Sequence, residues 1–459
     1  MSNARLFDWQ DGLSNGFENF ARGRKIDEIE CIIPDLAGTP RGKAMPSGKF
    51  DPTTELALPV SLFYQTISGE YVDMDEIENQ WLERDIVLRP DMSTACAIPW
   101  EDDVSVQVIC DLFNRDGSPL NIAPRNVLRH VLDAYRQRGW RPVVAPELEF
   151  YLTKPNLDPN EPIEPPLGRT GRKGASRQVY SMAAVDEYGP VIDMIYEYAE
   201  AQGLEIDTVI QEGGAGQIEI NLMHGDPLRL ADQVFFFKRT IREAALKNGM
   251  FATFMAKPIR DEPGSAMHVH QSVIDVETGK NVFSNDDGSS SDLFRWFIGG
   301  SQKHLMQLVP LLAPYVNSYR RITVEGQSAP ANIEWAADNR TTGLRVPHSD
   351  PAARRLENRV IGMDCNPYIA IAASLASGYL GMIHRIEPRP EADKEVWETE
   401  NPLPASLREA LDDFEGASEI RQALGEEFCR LYANIKRAEN EEYQREISPW
   451  ERKHLLLNV

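Results

Sequence analysis

Four short segments of this chain place charged or polar side chains at every second position of runs that are otherwise apolar. In a strand, residues i and i+2 face one way and i+1 the other. In APELEFYL, Glu147 and Glu149 therefore share a face opposite Leu148 and Phe150. In GQIEINL, Gln217, Glu219 and Asn221 oppose Ile218, Ile220 and Leu222. In MHVHQSV, His268 and His270 oppose Met267 and Val269, and in RLENR, Arg355, Glu357 and Arg359 alternate with Leu356 and Asn358. A strand with one wet face explains any single run. Taken together with nearby Glu212, the front faces gather five carboxylates, two imidazoles and several guanidiniums. Like charges so concentrated are costly unless something neutralises them. Carboxylates with an imidazole suit Mg²⁺ or Mn²⁺ better than zinc.

The bulk composition narrows the partners. Asp and Glu total 71 against 48 Lys and Arg, a formal charge of -23. Nucleic acid is not expected as a partner, because phosphate neutralisation needs a basic surface. Cys31, Cys96, Cys110, Cys365 and Cys429 show no CxxC spacing, so neither a disulfide framework nor a zinc site is expected, and a reducing, cytoplasmic setting is. MSNARLFDWQDGLSNGF lacks a basic head followed by an apolar run, so no signal peptide is expected. The most apolar stretch, Tyr368 to Ile383, is too short to span a bilayer. Asn366 as N-cap and Pro367 at the first helical position mark it as a buried helix.

The chain divides near residue 115. Residues 1–115 read as a small α+β unit, with a helix at Gly16–Arg22 and strands at Glu30–Pro34 and Val104–Leu112. From 116 to 459 a larger unit opens with a helix from Pro124 through Arg138, whose apolar residues recur at helical spacing. Pro155–Ser181 is a Pro- and Gly-rich loop carrying Arg169, Arg172, Lys173 and Arg177, either a solvated connection or a flap near phosphates. The tail from about Leu407 is charged and helical, and its apolar end, Leu455–Leu457, suits docking.

The segments APELEFYL, QEGGAGQIE, GSAMHVHQS, NSYRR, NRTTGLR and ARRLENR resemble, in order, the signature blocks of the glutamine synthetase family, with Ala215 in place of a proline. The resemblance implies an α+β fold: an N-terminal β-grasp domain and a catalytic domain whose curved antiparallel sheet forms a funnel. It implies Glu149, Glu212 and Glu219 as ligands of one metal, and Glu147, His268 and Glu357 as ligands of a second that holds the ATP phosphates. By the same resemblance His270 and Ser272 contact ATP. Arg321, Arg359 and the Gly264 backbone hold glutamate, and Arg340, Arg345 and Arg355 clamp the transferred phosphoryl group, with Arg321 among the catalytic set. It further implies ATP as co-substrate, and a homo-oligomer of stacked rings with sites shared between subunits.

Two departures bear on the nucleophile. Members that use ammonia bind ammonium with an N-terminal aspartate and with a glutamate before an Ala-Pro pair. Here the first block reads LFYQTISGE, with no acid from Leu56 to Gly69, and Ser328 precedes Ala329–Pro330, although Glu325 lies close by. Tyr64, Gln65 and Ser328 are thus candidates for a pocket remodelled for a larger amine, a pattern similar to γ-glutamylpolyamine synthetases and other glutamate–amine ligases. The alternatives are a glutamine synthetase that has drifted, an inactive scaffold of the same fold, or a phosphagen kinase. Trp397 stands where adenylylated bacterial members carry a tyrosine, so that modification is not expected.

Overall fold

The computed structural model describes residues 25–53, 55–72, 83–322, 329–397 and 399–459. The helix expected at Gly16–Arg22 lies outside these residues, as do Glu325 and the amine-site candidate Ser328.

Two sheets carry the architecture. The first uses β1 (Ile26–Pro34), β2 (Pro40–Pro46), β3 (Leu56–Pro59), β4 (Asp85–Pro90), β5 (Cys96–Ile98) and β6 (Val104–Phe113). Its order is β2-β1-β6-β4-β3, with β5 on β6. Both strands expected from sequence in this region fall inside it, β1 and β6 pairing in parallel.

The second sheet uses β7 (Trp140–Thr153), β8 (Ile206–Gln211), β9 (Gln217–Leu222), β10 (Phe251–Thr253), β11 (Val269–Asp275), β12 (Trp335–Ala337), β13 (Leu344–Val346) and β14 (Leu356–Asn358). They lie in the order β12-β13-β14-β11-β7-β9-β8, with β10 on β7. All pairs are antiparallel except β12 with β13. This is the mixed α+β fold with a curved sheet that the sequence led us to expect. β7 is its axis: residues 140–146 pair with β11, and 147–151 pair with β9.

The alternation read from sequence is the alternation in space. Leu148, Phe150, Ile218, Ile220, Met267, Val269 and Leu356 are wholly buried on the core side, so their neighbours must face the other way. The helix Pro367–His384 forms as expected, the Asn366 side chain accepting from the amides of Tyr368 and Ile369. Its partner is the helix Asp292–Leu312, and the approach is close because Gly300 and Gly381 meet there, with no room for a Cβ. Arg125, on the helix Pro124–Arg136, ties the first sheet to the helix Pro227–Lys247 by bonding Asp232 bidentately while also holding Asp91 and Asp111. All five cysteines are free and buried. No helix among the described residues is long and apolar enough to cross a membrane.

Candidate active site

The polar faces of the second sheet line one cavity of about 800 Å³, toward the upper end of the roughly 300–1,000 Å³ usual for small-molecule sites. Register decides who meets whom. Glu149 lies directly opposite Glu219, and Ile210 stands on the far side of Glu219. Glu357 lies between His270 on one neighbour and Arg345 on the other.

Glu147 joins the two imidazoles, at 3.1 Å from His268 Nδ1 and 2.9 Å from His270 Nε2. Glu149 accepts from the Ala266 amide at 2.8 Å and faces the Gln217 amide at 3.4 Å. Glu357 is 1% exposed and takes Arg345 on one oxygen, at 2.8 Å, and Arg359 on the other. Arg355 Nε reaches His270 Nδ1 at 3.2 Å.

The electrostatics show which acids lack a counter-charge. Burial, reinforced by Glu212, pushes the Glu149 carboxyl up to about 8. Burial and then Glu149 push Glu219 up to about 9. Glu212 is also raised, by burial and by Glu147. Burial works against ionised Glu147 too, but its hydrogen bonds to both histidines hold it below the ordinary range. Burial and Arg359 lower His268 to about 4, so its ring is neutral and able to act as a ligand. Glu149 and Glu219, directly opposed, cannot both ionise cheaply at neutral pH unless positive charge sits between them. A divalent cation supplies that charge.

The donor chemistry fits. One oxygen or nitrogen from each of Glu147, His270 and Glu357 comes within 4.8 Å of the others, and the same holds for Glu147, Glu219 and His268. The geometry thus shares Glu147 between two groups and brings His270 among the donors. Glu149 and Glu212 line the same cavity outside those groups.

The other expected residues are placed as follows. Arg340, Arg345, Arg355, Arg359 and Gly264 line the cavity. Arg321 backs it: its guanidinium donates to the carbonyls of Val360 and Arg359, and a Cβ on Gly264 would stand 2.6 Å from its Cγ. Ser272, two residues along β11 from His270, pairs with Val143 and does not line the cavity. Tyr64 and Gln65 do not line it in their own chain either. Tyr64 lies beside Arg84 and Glu427, and the turn after Gln65 bonds the helix Glu426–Arg445 through Ile67 to Glu439 and Ser68 to Glu442.

Sequence reasoning missed Val179, Tyr180, Ile210, Pro263, Asp338 and His348, all in the lining. It also gave no role to Gln217, which is 1% exposed. Gln217 Nε2 donates to the Gly264 carbonyl at 2.9 Å and its Oε1 accepts from Gly214. The one signal for it was that it shares a strand face with Glu219.

Acidic donors for divalent cations beside guanidinium forks are the apparatus of phosphoryl transfer, where catalysis is mainly positioning and charge stabilisation. Residues 121–455 match the family description "Glutamine synthetase, catalytic domain". The gamma-glutamylputrescine synthetase of Escherichia coli (strain K12) is 34% identical over 94% of this chain and 92% of its own length. The glutamate–isopropylamine ligase of a Pseudomonas species is 33% identical over 94% and 95% respectively. The solved complex of GmaS with ADP superposes with a TM-score of 0.82 at 27% identity, covering 96% of this chain and 99% of that one. The class is therefore that of ATP-dependent carbon–nitrogen ligases. The chain belongs to the glutamine synthetase family, whose members use ATP and divalent metals.

Proposed function

We propose that this enzyme joins an amine to the γ-carboxylate of L-glutamate at the expense of ATP. The γ-carboxylate attacks the terminal phosphoryl group of ATP, releasing ADP and forming γ-glutamyl phosphate. The amine nitrogen then attacks the γ-carbon, the bond from that carbon to the phosphate oxygen breaks, phosphate departs and the nitrogen loses a proton. Bound Mg²⁺ or Mn²⁺ would neutralise the phosphates and polarise the transferred group. Glu147, Glu149, Glu212, Glu219, His268 and Glu357 would hold the ions, with His270 beside them. Arg340, Arg345 and Arg355 would take the phosphoryl oxygens through forked, bidentate contacts. Arg359 and the Gly264 backbone would hold glutamate, with Arg321 setting their position from behind.

The observation that carries the reading is the single cavity in which opposed, raised carboxylates meet a bank of arginines. The preference for an amine over ammonia rests on the acid-free stretch from Leu56 to Gly69 and on Ser328 before Ala329–Pro330. It is supported by the two relatives named for glutamate–amine ligation. We also propose a division near residue 115, a cytoplasmic enzyme, and a ring assembly in which Tyr64 and Gln65 serve a neighbour's cavity.

Phosphate release from ATP with glutamate and, separately, ammonium, methylamine, n-butylamine or putrescine tests this. Faster release with an amine than with ammonium is expected. Release with ammonium alone would overturn the reading in favour of glutamine synthesis. No release with any nucleophile would favour an inactive scaffold.

A further inference from the structure

The cavity has two chemically different sides, and strand order separates them. Toward the β13–β14 edge it is basic, with Arg345, Arg355 and His348. At the opposite edge, β8 presents Ile210 beside Glu219, and Glu212 follows just beyond the strand.

Here the lining turns apolar. The Arg177 amide donates to the Gly213 carbonyl at 2.7 Å and the Tyr180 amide to the Gln211 carbonyl at 2.9 Å, fastening Val179 and Tyr180 over the end of β8. The Tyr151 hydroxyl holds the Pro263 carbonyl at 2.7 Å. A Cβ on Gly213 would lie 3.0 Å from Pro263 Cγ and 4.0 Å from Val179 Cγ2, so these two side chains close over that glycine. Val179, Tyr180, Ile210 and Pro263 thus form a hydrophobic wall next to Glu212. Apart from the five glutamates, the described lining holds one carboxylate, Asp338. It is engaged by the His348 amide at 2.9 Å and by Arg345 at 3.3 Å.

We infer that the amine taken by this site is a monoamine with an uncharged, apolar substituent rather than a diamine or polyamine. The inference rests on the ligase reading above and specifies its substrate class. The substituent lies along Val179, Ile210 and Pro263 with Tyr180 at the mouth, and the reacting nitrogen points toward Glu212. A second ammonium at the far end of a short chain would meet a wall on which the described residues place no carboxylate, so it would gain no ion pair there, whereas methylenes gain by leaving water.

The test compares kcat/KM for n-butylamine and putrescine, which share a four-carbon chain and differ in the second ammonium, at saturating ATP and glutamate. Butylamine is expected to be preferred by about tenfold or more, since matched contacts in an apolar pocket discriminate on that scale. In the Val179→Asp variant the ratio should move toward putrescine by about tenfold, a carboxylate now standing on the wall. Putrescine used as well as or better than butylamine would overturn the inference while leaving amine ligation intact. So would a ratio unmoved by V179D. Turnover with ammonium alone would instead overturn the underlying ligase reading.

Discussion

Replacing Glu357 by glutamine keeps the side chain's shape and removes a charge on which two arginines depend. The carboxylate is 1% exposed and sits between Arg345 and Arg359, the latter also buried. Burial by itself would raise its pKa, but Arg359 first, then His270 and His268, hold it down to about 2 from 4.5. That drop corresponds to about 3 kcal/mol of folding stability. It agrees with the roughly 3–5 kcal/mol expected when one partner of a buried ion pair is removed. Because the folded pKa is depressed, the contribution is fully present above pH 4.5 and is lost only as pH falls through about 2. Urea unfolding of the wild type and E357Q, followed by tryptophan fluorescence at fixed protein concentration, should therefore show a deficit of about 3 kcal/mol in the variant. The deficit should be the same at pH 7.5 and pH 5.5. A loss below about 1 kcal/mol, or one that disappears by pH 5.5, would refute the idea that the arginines are held by this charge.

Gln217→Leu removes the link between Gly214, Gly264 and Glu149. KM for glutamate should rise about tenfold or more, the size of one or two lost buried hydrogen bonds, while KM for ATP moves little. Equal changes in both constants would show general damage instead of a positioning role. Arg125→Met should lower stability by about 3–5 kcal/mol, because Asp232 is left buried without its partner. An unfolding midpoint within error of wild type would contradict the coupling of the first sheet to the helix Pro227–Lys247 through that residue.

What could be read from the residues in order was whatever repeats locally. A period of two put Glu147 with Glu149, and Gln217 with Glu219, on common faces, and the N-cap and proline at Asn366–Pro367 marked a helix start. What could not be read depends on register between distant strands. That Glu149 opposes Glu219, or that Glu357 falls between His270 and Arg345, follows from pairings that span 70 or more residues in two of these three contacts, and local spacing is silent about them. The donor grouping around Glu147 comes from the same source. The hydrophobic wall was missed for a different reason. Val179 and Tyr180 belong to a Pro- and Gly-rich loop whose basic residues drew attention, while Pro263 and Ile210 are unremarkable alone and acquire meaning only when β8 ends beside them.

The carboxylate cluster as a cage for divalent cations is tested most directly by calorimetric titration of the protein with Mn²⁺ at pH 7, in two buffers of different ionisation enthalpy. Glu149 and Glu219, pushed up to about 8 and about 9, carry protons there in the absence of a cation. Binding should therefore release protons, making the apparent enthalpy depend on the buffer, and Glu219→Gln should weaken binding and reduce that dependence. Binding too weak to measure at millimolar Mn²⁺, or binding whose enthalpy is identical in both buffers, would contradict it.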